Sequence, residues 1–496
     1  MMVQAITAPS AVTLGDLLDH CTSSLASLPI TQISMDSRDI RPGALFMAVA
    51  GHAQDGRQFI GQAAANGAVA VVAEPPVQAF VDQLAIPVIE QAGLAGDLGV
   101  IASRFYGAPS AELSMVGVTG TNGKTTVSRL IGQLSRGQGR DTGVIGTLGA
   151  TTDDSVCQAT NTTPDPVSLQ RQLAQWSRTG VSCVAMEVSS HALVQGRVNG
   201  VQFDVAVLTN LTRDHLDYHG DMNTYGNAKS RLFTSSGLKF AVINVDDPFG
   251  AELISQLGDQ VQVVSYSAAG KTADVRAERC ALLPNGFSVD LQSPWGAGSC
   301  DCSLPGDFNV ENLLAALSAA ACLGCDWQAL LKAVPSLHAV PGRMQPIVGA
   351  CKEQVVVDYA HTPDALERAL QALRGQIDGQ LICVFGCGGN RDRGKRAAMG
   401  AIACRYSDHV IVTSDNPREE SPTAIIADIV SGCSGSFETQ ENRASAIEAA
   451  VAMAAAGDCV LVAGKGHENY QLINGQQLEF SDAEHASNAL KRKVSK

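Results

Sequence analysis

The stretch "MVGVTGTNGKTTVSRL", residues 115–130, decides the fold that this sequence predicts. Its apolar start is typical of a buried strand, and a glycine-rich turn follows at once. Beyond the turn, apolar residues recur at i, i+3, i+4 and i+7, which is one face of a helix. These residues are Val127, Leu130, Ile131 and Leu134. A strand, a phosphate-binding turn and a helix in this order predict a nucleotide-binding α/β sheet.

The turn departs from the usual G-x-x-x-x-G-K-[ST] pattern, because Val118 stands at the first glycine position. Its two remaining glycines still allow a tight backbone that aims N–H groups at phosphate oxygens. Lys124 is placed to reach the terminal phosphates, and Thr125 or Thr126 to ligate Mg²⁺. Phosphate binding alone leaves a GTPase, a kinase, a motor and a ligase open.

The composition limits the partners of the chain. Its 496 residues predict about three domains. A net charge of −14 argues against nucleic acid or an anionic membrane as partner. There is no apolar run of about 20 residues and no secretory signal, so we expect a cytoplasmic protein. The C-x-x-C of Cys322 and Cys325 closes an Ala/Leu-rich helical pattern, which favours core packing over zinc binding.

Further strands divide the chain. "VSCVAME", "DVAVLTN" and "KFAVINV" are short and continuously apolar, as in a parallel sheet covered on both faces. "VPGRMQPI" predicts a hinge near residue 342. Four more apolar strands then break into polar residues at their carboxyl ends, where α/β sheets bind ligands. We therefore predict three domains, at residues 1–110, 111–344 and 345–496.

Two polar residues at strand ends predict a metal site beside the phosphate turn. Glu187 ends the strand "VSCVAME", and His215 lies just past another strand end in "NLTRDHLDYHG". Both are expected at the same sheet edge as Lys124. Oxygen and imidazole ligands suit Mg²⁺ or Mn²⁺, so the pair favours a metal more than either residue would alone.

Taken together, these motifs resemble those of the Mur ligases of bacterial cell-wall synthesis. The resemblance runs through almost the whole chain, in "GVTGTNGKTT", "MEVSSHAL", "NLTRDHLDYHG", "YGNAKSRLF", "GDFNVENLLAA", "PGRMQ" and "VVDYAHTPDAL". Within that family, "NTTPDP", "FGCGGNRDRGKR", "DNPR" and "GKGHENY" point to the branch that adds meso-2,6-diaminopimelate.

The resemblance implies an α/β fold with the three-domain Mur ligase architecture: a central P-loop ATPase sheet and a C-terminal Rossmann-like domain. It implies an ATP- and Mg²⁺-dependent ligase that adds meso-2,6-diaminopimelate to UDP-N-acetylmuramoyl-L-alanyl-D-glutamate through an acyl phosphate. The product would be a peptidoglycan precursor, which links the enzyme to cell shape and cell division. A monomer is expected, without nucleic acid or membrane partners.

The resemblance also assigns residues. It implies catalytic roles for Lys124, Glu187, His215 and Lys229. It implies that the metal is bound by Thr126, Glu187, His215 and Lys229, the last as a carbamate. ATP binding falls to Gly120, Thr121, Asn122, Gly123, Lys124, Thr125, Thr126, Asn309, Asn312, Arg343 and Asp358. The residues implied to bind the UDP-muramoyl-dipeptide are Met35, Ser37, His52, Ala53, Gln54, Asn161, Thr162, Thr163, Ser189, Gln195 and Arg197. The residues implied to bind diaminopimelate are Arg391, Asp415, Asn416, Pro417, Arg418, Gly464 and Glu468.

Two residues depart from the family pattern. Asn390 stands where many relatives carry Asp, and we expect it to alter its turn more than the chemistry. Arg57 stands where His is common, in the first substrate pocket. Three functions stay open: the diaminopimelate-adding ligase, another amide ligase of this fold (lysine-adding or folate-polyglutamylating), and a nucleotide-dependent switch that forms no bond. "DNPR" favours the first, because the extra carboxylate of diaminopimelate requires a cation.

Overall fold

The computed structural model describes residues 12–51, 54–82, 84–152, 156–157, 161–259, 261–283, 286–347 and 353–494. Three sheets follow one another along the chain, each with helices packed on it. The predicted substrate residues His52 and Ala53 lie outside the described residues. In the part of the chain that is described, no helix is both long and apolar enough to cross a membrane.

The first sheet has four parallel strands in the order β3-β4-β5-β6. A small antiparallel pair, β1 and β2, precedes it. The strands are β1 Val12–Thr13, β2 Pro29–Ile30, β3 Gln32–Ser34, β4 Ala44–Ala48, β5 Ala68–Ala73 and β6 Val88–Glu90. The helices are α1 Leu14–Leu17, α2 Ile60–Ala65 and α3 Leu94–Tyr106. Apolar clusters form on both faces of this sheet, so its strands read as continuous hydrophobic runs.

The central sheet has eleven strands in the order β10-β9-β8-β11-β7-β12-β13-β14-β15-β16-β17. The stretch from β8 to β15 in that order is parallel, and both edges continue as antiparallel strands. Its strands are β7 Ser114–Thr119, β8 Thr142–Gly146, β9 Gly149–Thr151, β10 Val156–Cys157, β11 Cys183–Glu187, β12 Val205–Leu208, β13 Phe240–Asn244, β14 Gln262–Ser267, β15 Val275–Leu283, β16 Gly286–Gln292 and β17 Gly298–Cys302.

Helices cover both faces of the central sheet. They are α4 Lys124–Gly137, α5 Pro166–Arg178, α6 Ser190–Val194, α7 Leu216–His219, α8 Met222–Ser230, α9 Pro248–Gln256, α10 Phe308–Cys322 and α11 Trp327–Ala333. The predicted apolar face of α4 is fully buried and packs with α10 over one face of the sheet. The strand, turn and helix predicted from residues 115–130 are thereby confirmed.

The cysteine pair at the end of α10 is confirmed as core. Cys322 and Cys325 pack in the same apolar cluster as α4, and both are free thiols. Burial raises the pKa of Cys322 to about 12, so this thiol stays protonated and unreactive near neutral pH.

The third sheet has six strands in the order β18-β19-β23-β20-β21-β22, all parallel except β18. Its strands are β18 Gln345–Ile347, β19 Gln354–Asp358, β20 Leu381–Phe385, β21 His409–Thr413, β22 Phe437–Gln440 and β23 Cys459–Ala463, followed by the hairpin of β24 Tyr470–Ile473 and β25 Gln476–Glu479. The helices are α12 Pro363–Arg374, α13 Gly394–Tyr406, α14 Pro422–Val430, α15 Arg443–Met453 and α16 Asp482–Val494.

The four strands predicted after the hinge are β19, β20, β21 and β23, and all four end where polar residues begin. They are neighbours in the sheet, so their carboxyl ends meet at one edge. The hinge near residue 342 and the domain limits at residues 110 and 344 stay predictions.

Candidate active site

A cavity of about 270 Å³ lies where the central and third sheets meet. Its wall combines the phosphate turn, the carboxyl ends of central strands, the start of α10, residues 339–344 and residues 358–369. Because two sheets contribute to one wall, the residues predicted to bind a nucleotide and residues of the third domain face the same space.

The glycines of the phosphate turn make room for close neighbours. Gly120 has φ +147°, and a Cβ there would lie 1.8 Å from Thr209 Oγ1. Gly123 has φ +85°, and a Cβ there would lie 2.5 Å from Asn312 Oδ1. Both conformations favour glycine, and neither position has space for a side chain. The turn therefore presents bare backbone to the cavity.

Two lysines hold the turn through its carbonyl groups. Lys124 Nζ donates to Gly120 O at 2.9 Å and to Thr121 O at 2.8 Å. Lys229 Nζ, which is buried, donates to the same Gly120 O at 2.8 Å and lies 4.3 Å from the Tyr225 ring centroid. Burial lowers the pKa of Lys124, and burial together with Lys124 lowers that of Lys229 well below its usual value. Lys124 lines the cavity, and Lys229 lies behind it on the same carbonyl group of the turn.

Glu187 ends β11 and is almost fully buried in the cavity wall. Its Oε1 accepts from Thr147 N at 2.8 Å, and its Oε2 accepts from Thr125 Oγ1 at 3.0 Å. A Cβ on Gly146 would lie 2.1 Å from Glu187 Oε1, so the missing side chain is what admits the carboxylate. The structure thus brings Thr125, rather than the predicted metal ligand Thr126, onto this carboxylate; Thr126 also lines the cavity.

His215 lies at the mouth of the cavity, with its side chain 44% exposed. Its backbone is left-handed, with φ +54°, and its Nε2 lies 3.4 Å from Asp214 Oδ2. Burial of the ring lowers the pKa of His215 to about 4, so it is neutral near pH 7. The ring of His191 meets it edge-on, 4.9 Å between centroids. Among the described residues, no group of three or more His, Cys, Asp or Glu side chains has metal-binding geometry.

The other predicted ATP residues line the same cavity. Asn312 Nδ2 donates to Asn309 Oδ1 at 2.9 Å, which couples the two amides at the start of α10. Arg343 Nη2 donates to Thr125 Oγ1 at 3.2 Å. Asp358 accepts from two backbone N–H groups, at Met344 and Ala360, and burial raises its pKa. Thr121 and Asn122 complete this part of the wall.

The third domain supplies residues in the cavity wall and beside it that were not predicted from the sequence. Asp364, at the start of α12, accepts from Asn122 Nδ2 at 3.1 Å. His361 lines the cavity, and its Nδ1 lies 2.8 Å from Tyr359 O. Arg368 lies 3.7 Å from Glu311 of the central domain. Their signal was present in "DYAHTPDALER", since it directly follows the carboxyl end of β19.

Four of the predicted muramoyl-dipeptide residues of the central domain are joined by hydrogen bonds: Thr163, Ser189, Gln195 and Arg197. Arg197 donates to Gln195 Oε1 and, at 3.0 Å, to Thr163 O. Thr163 Oγ1 donates to Glu187 O at 2.8 Å and accepts from Ser189 N at 3.1 Å. This group therefore adjoins the metal candidate Glu187. Thr162 and Ser189 line the cavity, whereas Asn161 is exposed beside them.

The predicted UDP residues that the structure describes, Met35, Ser37 and Gln54, lie beside the first sheet and are not part of the cavity wall. Ser37 is buried, and its Oγ donates to Gln62 Oε1 at 2.9 Å. Met35 is half-buried and Gln54 is exposed. Arg57, the departure from the family pattern, pairs with Asp55 at 2.9 Å. That guanidinium also donates to the carbonyls of residues 74–76, so it holds its own loop together.

The predicted diaminopimelate residues gather at the carboxyl edge of the third sheet. Asn416 Nδ2 donates to Glu468 Oε2 at 2.7 Å. Gly464 has φ +115°, and a Cβ there would lie 2.6 Å from Asp415 Oδ2. Arg418 Nη1 donates to Gly389 O at 2.8 Å. Pro417 follows Asn416 in this loop and is buried, and Arg391 is exposed on the neighbouring loop.

Two buried cations of this edge were not predicted. Lys465 Nζ donates to Asn416 Oδ1 and to Glu468 Oε2, each at 3.0 Å. Arg443 forms a fully buried ion pair with Asp482 at 2.7 Å. It also donates to Ser414 O and Ala463 O, which directly precede Asp415 and Gly464. A chain of contacts joins this edge to the cavity, because Tyr359 stacks under Arg343 and lies beside His467.

The chain is similar to known proteins over almost its whole length. Three family models match: "Mur ligase family, catalytic domain" at residues 29–106, "Mur ligase middle domain" at 118–320, and "Mur ligase, glutamate ligase domain" at 342–466. A Coxiella burnetii protein named UDP-N-acetylmuramoyl-L-alanyl-D-glutamate--2,6-diaminopimelate ligase is 47% identical over 484 residues, covering 96% of this chain and 99% of its own. A Pseudomonas aeruginosa protein of the same name is 47% identical over 465 residues, covering 93% and 95%.

Solved structures agree. A structure with that same ligase name matches at a TM-score of 0.71 with 37% identity, covering 98% of this chain and 100% of its own. A MurF ligase from Thermotoga maritima in complex with ADP matches at a TM-score of 0.67 with 18% identity, covering 94% and 98%. At that identity the second match supports the fold alone.

Proposed function

Because this chain belongs to the Mur ligase family, we propose that it joins meso-2,6-diaminopimelate to UDP-N-acetylmuramoyl-L-alanyl-D-glutamate with the energy of ATP. The observation that carries the proposal is the single cavity between the phosphate turn and the third sheet, with Tyr359 linking it to the acceptor edge. Its full-length similarity to ligases of that name gives the substrates. We propose that it acts as a monomer in the cytoplasm.

The first step is phosphoryl transfer. An oxygen of the D-glutamyl γ-carboxylate attacks the γ-phosphorus of ATP, the bond from that phosphorus to ADP breaks, and an acyl phosphate forms. The protein's task is positioning and charge neutralisation. Lys124 and Arg343 supply the cations for the phosphates, and the bare backbone at Gly120 and Gly123 lets them approach closely.

The second step is amide formation. The amine of diaminopimelate attacks the acyl carbon, and a tetrahedral intermediate loses phosphate as the carbon–oxygen bond breaks and the nitrogen gives up a proton. Water competes with the amine for the acyl phosphate. The wall shared by two sheets limits that competition, because the acyl phosphate would form between them.

The residues present fit a magnesium ion. Mg²⁺ is held in proteins by one or two carboxylates, hydroxyls and substrate phosphates, so a cluster of three protein ligands is not required. Glu187 and Thr125, 3.0 Å apart, would hold it, with His215 nearby on the cavity wall. When bound, Mg²⁺ would neutralise phosphate charge. We propose Thr125 in place of Thr126 as the hydroxyl ligand, because Thr125 is the one that contacts Glu187.

We also propose that Lys229 carries a carbamate. A neutral amine nitrogen would bond to the carbon of CO₂ and release a proton, which converts a cation into an anion. Lys229 is buried and lies 2.8 Å from Gly120 O of the phosphate turn. Lys229→Ala should nearly abolish ligation, and a small added carboxylate should partly restore it. Activity like that of the unmodified protein in this variant would exclude the carbamate.

At the acceptor edge, we propose that Arg418 and Arg391 bind the carboxylate by which diaminopimelate differs from lysine. Guanidinium groups suit this role because they bind carboxylates in a bidentate manner. Glu468 and Asp415 supply the anionic partners of the ammonium groups. The bonded group of Thr163, Ser189, Gln195 and Arg197 would take the muramoyl-dipeptide beside Glu187.

The deciding experiment is a reconstitution with purified protein, ATP, Mg²⁺ and the UDP-muramoyl-dipeptide, in which ADP and peptide product are followed together. meso-2,6-Diaminopimelate, lysine and no amino acid are compared. We expect little ADP without the nucleotide-sugar, and amide product with diaminopimelate. Preference for lysine would indicate a lysine-adding ligase. ATP turnover that ignores the nucleotide-sugar would indicate a nucleotide-dependent switch.

A further inference from the structure

Lys465 is a fully buried cation among the acceptor residues. Its side chain is 0% exposed and lies just past β23. Its Nζ donates to Asn416 Oδ1 and to Glu468 Oε2, and Asn416 Nδ2 donates to that same Oε2. These three side chains form a closed triangle of hydrogen bonds, which we name the acceptor triangle.

The acceptor triangle fixes the orientation of its amide. Asn416 Oδ1 also accepts from Leu472 N at 3.0 Å, so both lone pairs of that oxygen are used. Turning the amide round would set its NH₂ group against two donors, Lys465 Nζ and Leu472 N. Lys465 and Leu472 N together hold the orientation in which Asn416 presents a donor, and not an acceptor, to Glu468.

Lys465 also changes the charge that the acceptor pocket presents. Its ammonium neutralises Glu468 at 3.0 Å, so Glu468 does not act there as an uncompensated anion. Both of its side-chain hydrogen bonds within the described residues fall on Oε2, which leaves Oε1 for a ligand donor. Arg443 makes no such change, because Asp482 pairs with it 2.7 Å away in the interior.

We propose that Lys465 is a positioning residue that sets acceptor specificity: by holding Glu468 and Asn416, it keeps the pocket suited to a diamino dicarboxylic acid of zero net charge and unsuited to a cationic diamino acid. The proposal rests on the proposed function. meso-2,6-Diaminopimelate carries two ammonium and two carboxylate groups, whereas lysine carries one net positive charge. Without Lys465, the uncompensated carboxylate of Glu468 would attract lysine more than diaminopimelate, and weak screening in the interior makes that difference large.

The test is a specificity ratio. Lys465→Met removes the charge at similar length, and kcat/KM is measured for meso-2,6-diaminopimelate and for lysine on the same preparation. We expect the lysine-to-diaminopimelate ratio to rise by on the order of tenfold. The KM for diaminopimelate should rise while the KM for ATP stays unchanged. Lys465→Arg, which keeps the charge, should keep the ratio of the unmodified protein.

The control is Lys239→Met, which removes the same charge from an exposed lysine paired with Asp204 in the central domain. It should leave the ratio unchanged. An equal loss with both amino acids in Lys465→Met would overturn the proposal, since that is what a purely structural lysine predicts. A rise in the ratio with Lys239→Met would overturn it as well, because net charge alone would then explain the effect.

If Lys465→Met does not fold, Glu468→Gln tests the proposed effect of charge on acceptor specificity. This variant keeps Lys465 and removes the anion, so the ratio should fall below that of the unmodified protein. An unchanged or higher ratio would overturn the proposal. Failure of the proposed function is a different result, because it would appear as an unmodified protein that does not use diaminopimelate at all.

Discussion

The phosphate turn and the acceptor edge both hold buried or partly buried cations, but they hold them with different partners. At the turn, Lys124 and Lys229 donate to backbone carbonyls, and both share Gly120 O. At the acceptor edge, Lys465 and Arg443 are bonded to the carboxylates of Glu468 and Asp482. Both regions use neutral oxygen atoms, but the acceptor edge adds a carboxylate to each of its two cations.

This difference indicates that the phosphate turn takes part in the reaction, whereas the acceptor edge has a structural role. An ammonium is attracted more strongly to a charged phosphate than to a neutral carbonyl, because the Coulomb energy grows with the charge of the partner. A phosphate therefore outcompetes a carbonyl for Lys124, so this lysine is available to a nucleotide. No neutral ligand group outcompetes Asp482 for Arg443, which is buried with it. We infer that the first region exchanges partners during the reaction, whereas the second keeps its shape.

The largest effect is expected from replacing Lys124 in the phosphate turn, which should lower activity without lowering stability. Lys124→Met should lower kcat/KM for ATP by roughly 10³-fold, because a cation at the transferred phosphate is lost. The thermal midpoint should hold or rise, since only carbonyls lose a donor. ADP release and thermal unfolding measure the two effects.

The matched control is Lys271→Met. Lys271 also donates to backbone carbonyls, at Val245 and Asp246, but lies outside the cavity wall. It should keep full activity. A strongly destabilised but active Lys124→Met would contradict the comparison between the two regions.

The opposite outcome is expected at the acceptor edge. Arg443→Met leaves Asp482 buried without its cation, which should cost about 3–5 kcal/mol of unfolding free energy. Replacing both, as Arg443→Met with Asp482→Leu, should recover most of that loss because no charge stays buried. Denaturant unfolding measures both variants. A single variant as stable as the unmodified protein would show that this pair does not support the edge.

The double replacement also isolates positioning from stability. It lacks the donors to Ser414 O and Ala463 O, the carbonyls just before two predicted acceptor residues. Its KM for diaminopimelate should rise severalfold while its KM for ATP does not. Equal changes in both constants would assign Arg443 to folding alone.

Local patterns predicted much of this molecule. The strand, turn and helix around Lys124 follow from spacing within a few residues, and so do the polar ends of the third-sheet strands. The turn at Asn390 was expected to differ, and the structure places this residue at φ +53°, a conformation that Asn tolerates well. The family resemblance then supplied residues that no spacing rule would select, such as Lys229.

The remainder depends on contacts between distant segments. Thr125 and Thr126 satisfy the phosphate motif equally, and only the packing of α4 against β11 brings Thr125 to Glu187. The pairing of Arg443 with Asp482 spans 39 residues and two helices. The acceptor triangle joins segments 49 residues apart. No periodicity in the sequence encodes such pairs, so the buried cations Lys465 and Arg443 were not predicted.

A smaller effect is expected from a substitution beside the phosphate turn that adds volume and leaves every charge in place. In Gly146→Ala the new Cβ would fall 2.1 Å from Glu187 Oε1, so the carboxylate must move away from Thr147 N. Activity should fall roughly 10–100-fold, and the Mg²⁺ concentration for half-maximal activity should rise. Gly61→Ala in α2 meets nothing within 4 Å and should be silent. An unchanged Mg²⁺ requirement in Gly146→Ala would separate Glu187 from the metal.

The smallest effect concerns pH and a further carboxylate of the acceptor edge. Arg396, and then the N–H of Asn390, lower the pKa of Glu420 from 4.5 to about 2. Because the folded-state pKa lies below the unfolded one, the charged Glu420 stabilises the protein above about pH 4.5, and that stability is lost as pH falls toward about 2. Glu420→Gln should therefore melt about 1–2 °C below the unmodified protein near neutral pH.

That gap should narrow as the pH falls below about 4.5 and should close toward about pH 2, where protonation of the folded protein removes the same charge that the substitution removes. Thermal midpoints of the two proteins across this range measure it. The nearby Glu419→Gln is the control, because it removes the same charge from an exposed side chain of the same loop. A gap for Glu420→Gln that stays constant down to about pH 3 would mean that shape, and not charge, makes Glu420 hold the loop. The acceptor edge would then resemble the phosphate turn more closely than its carboxylates suggest.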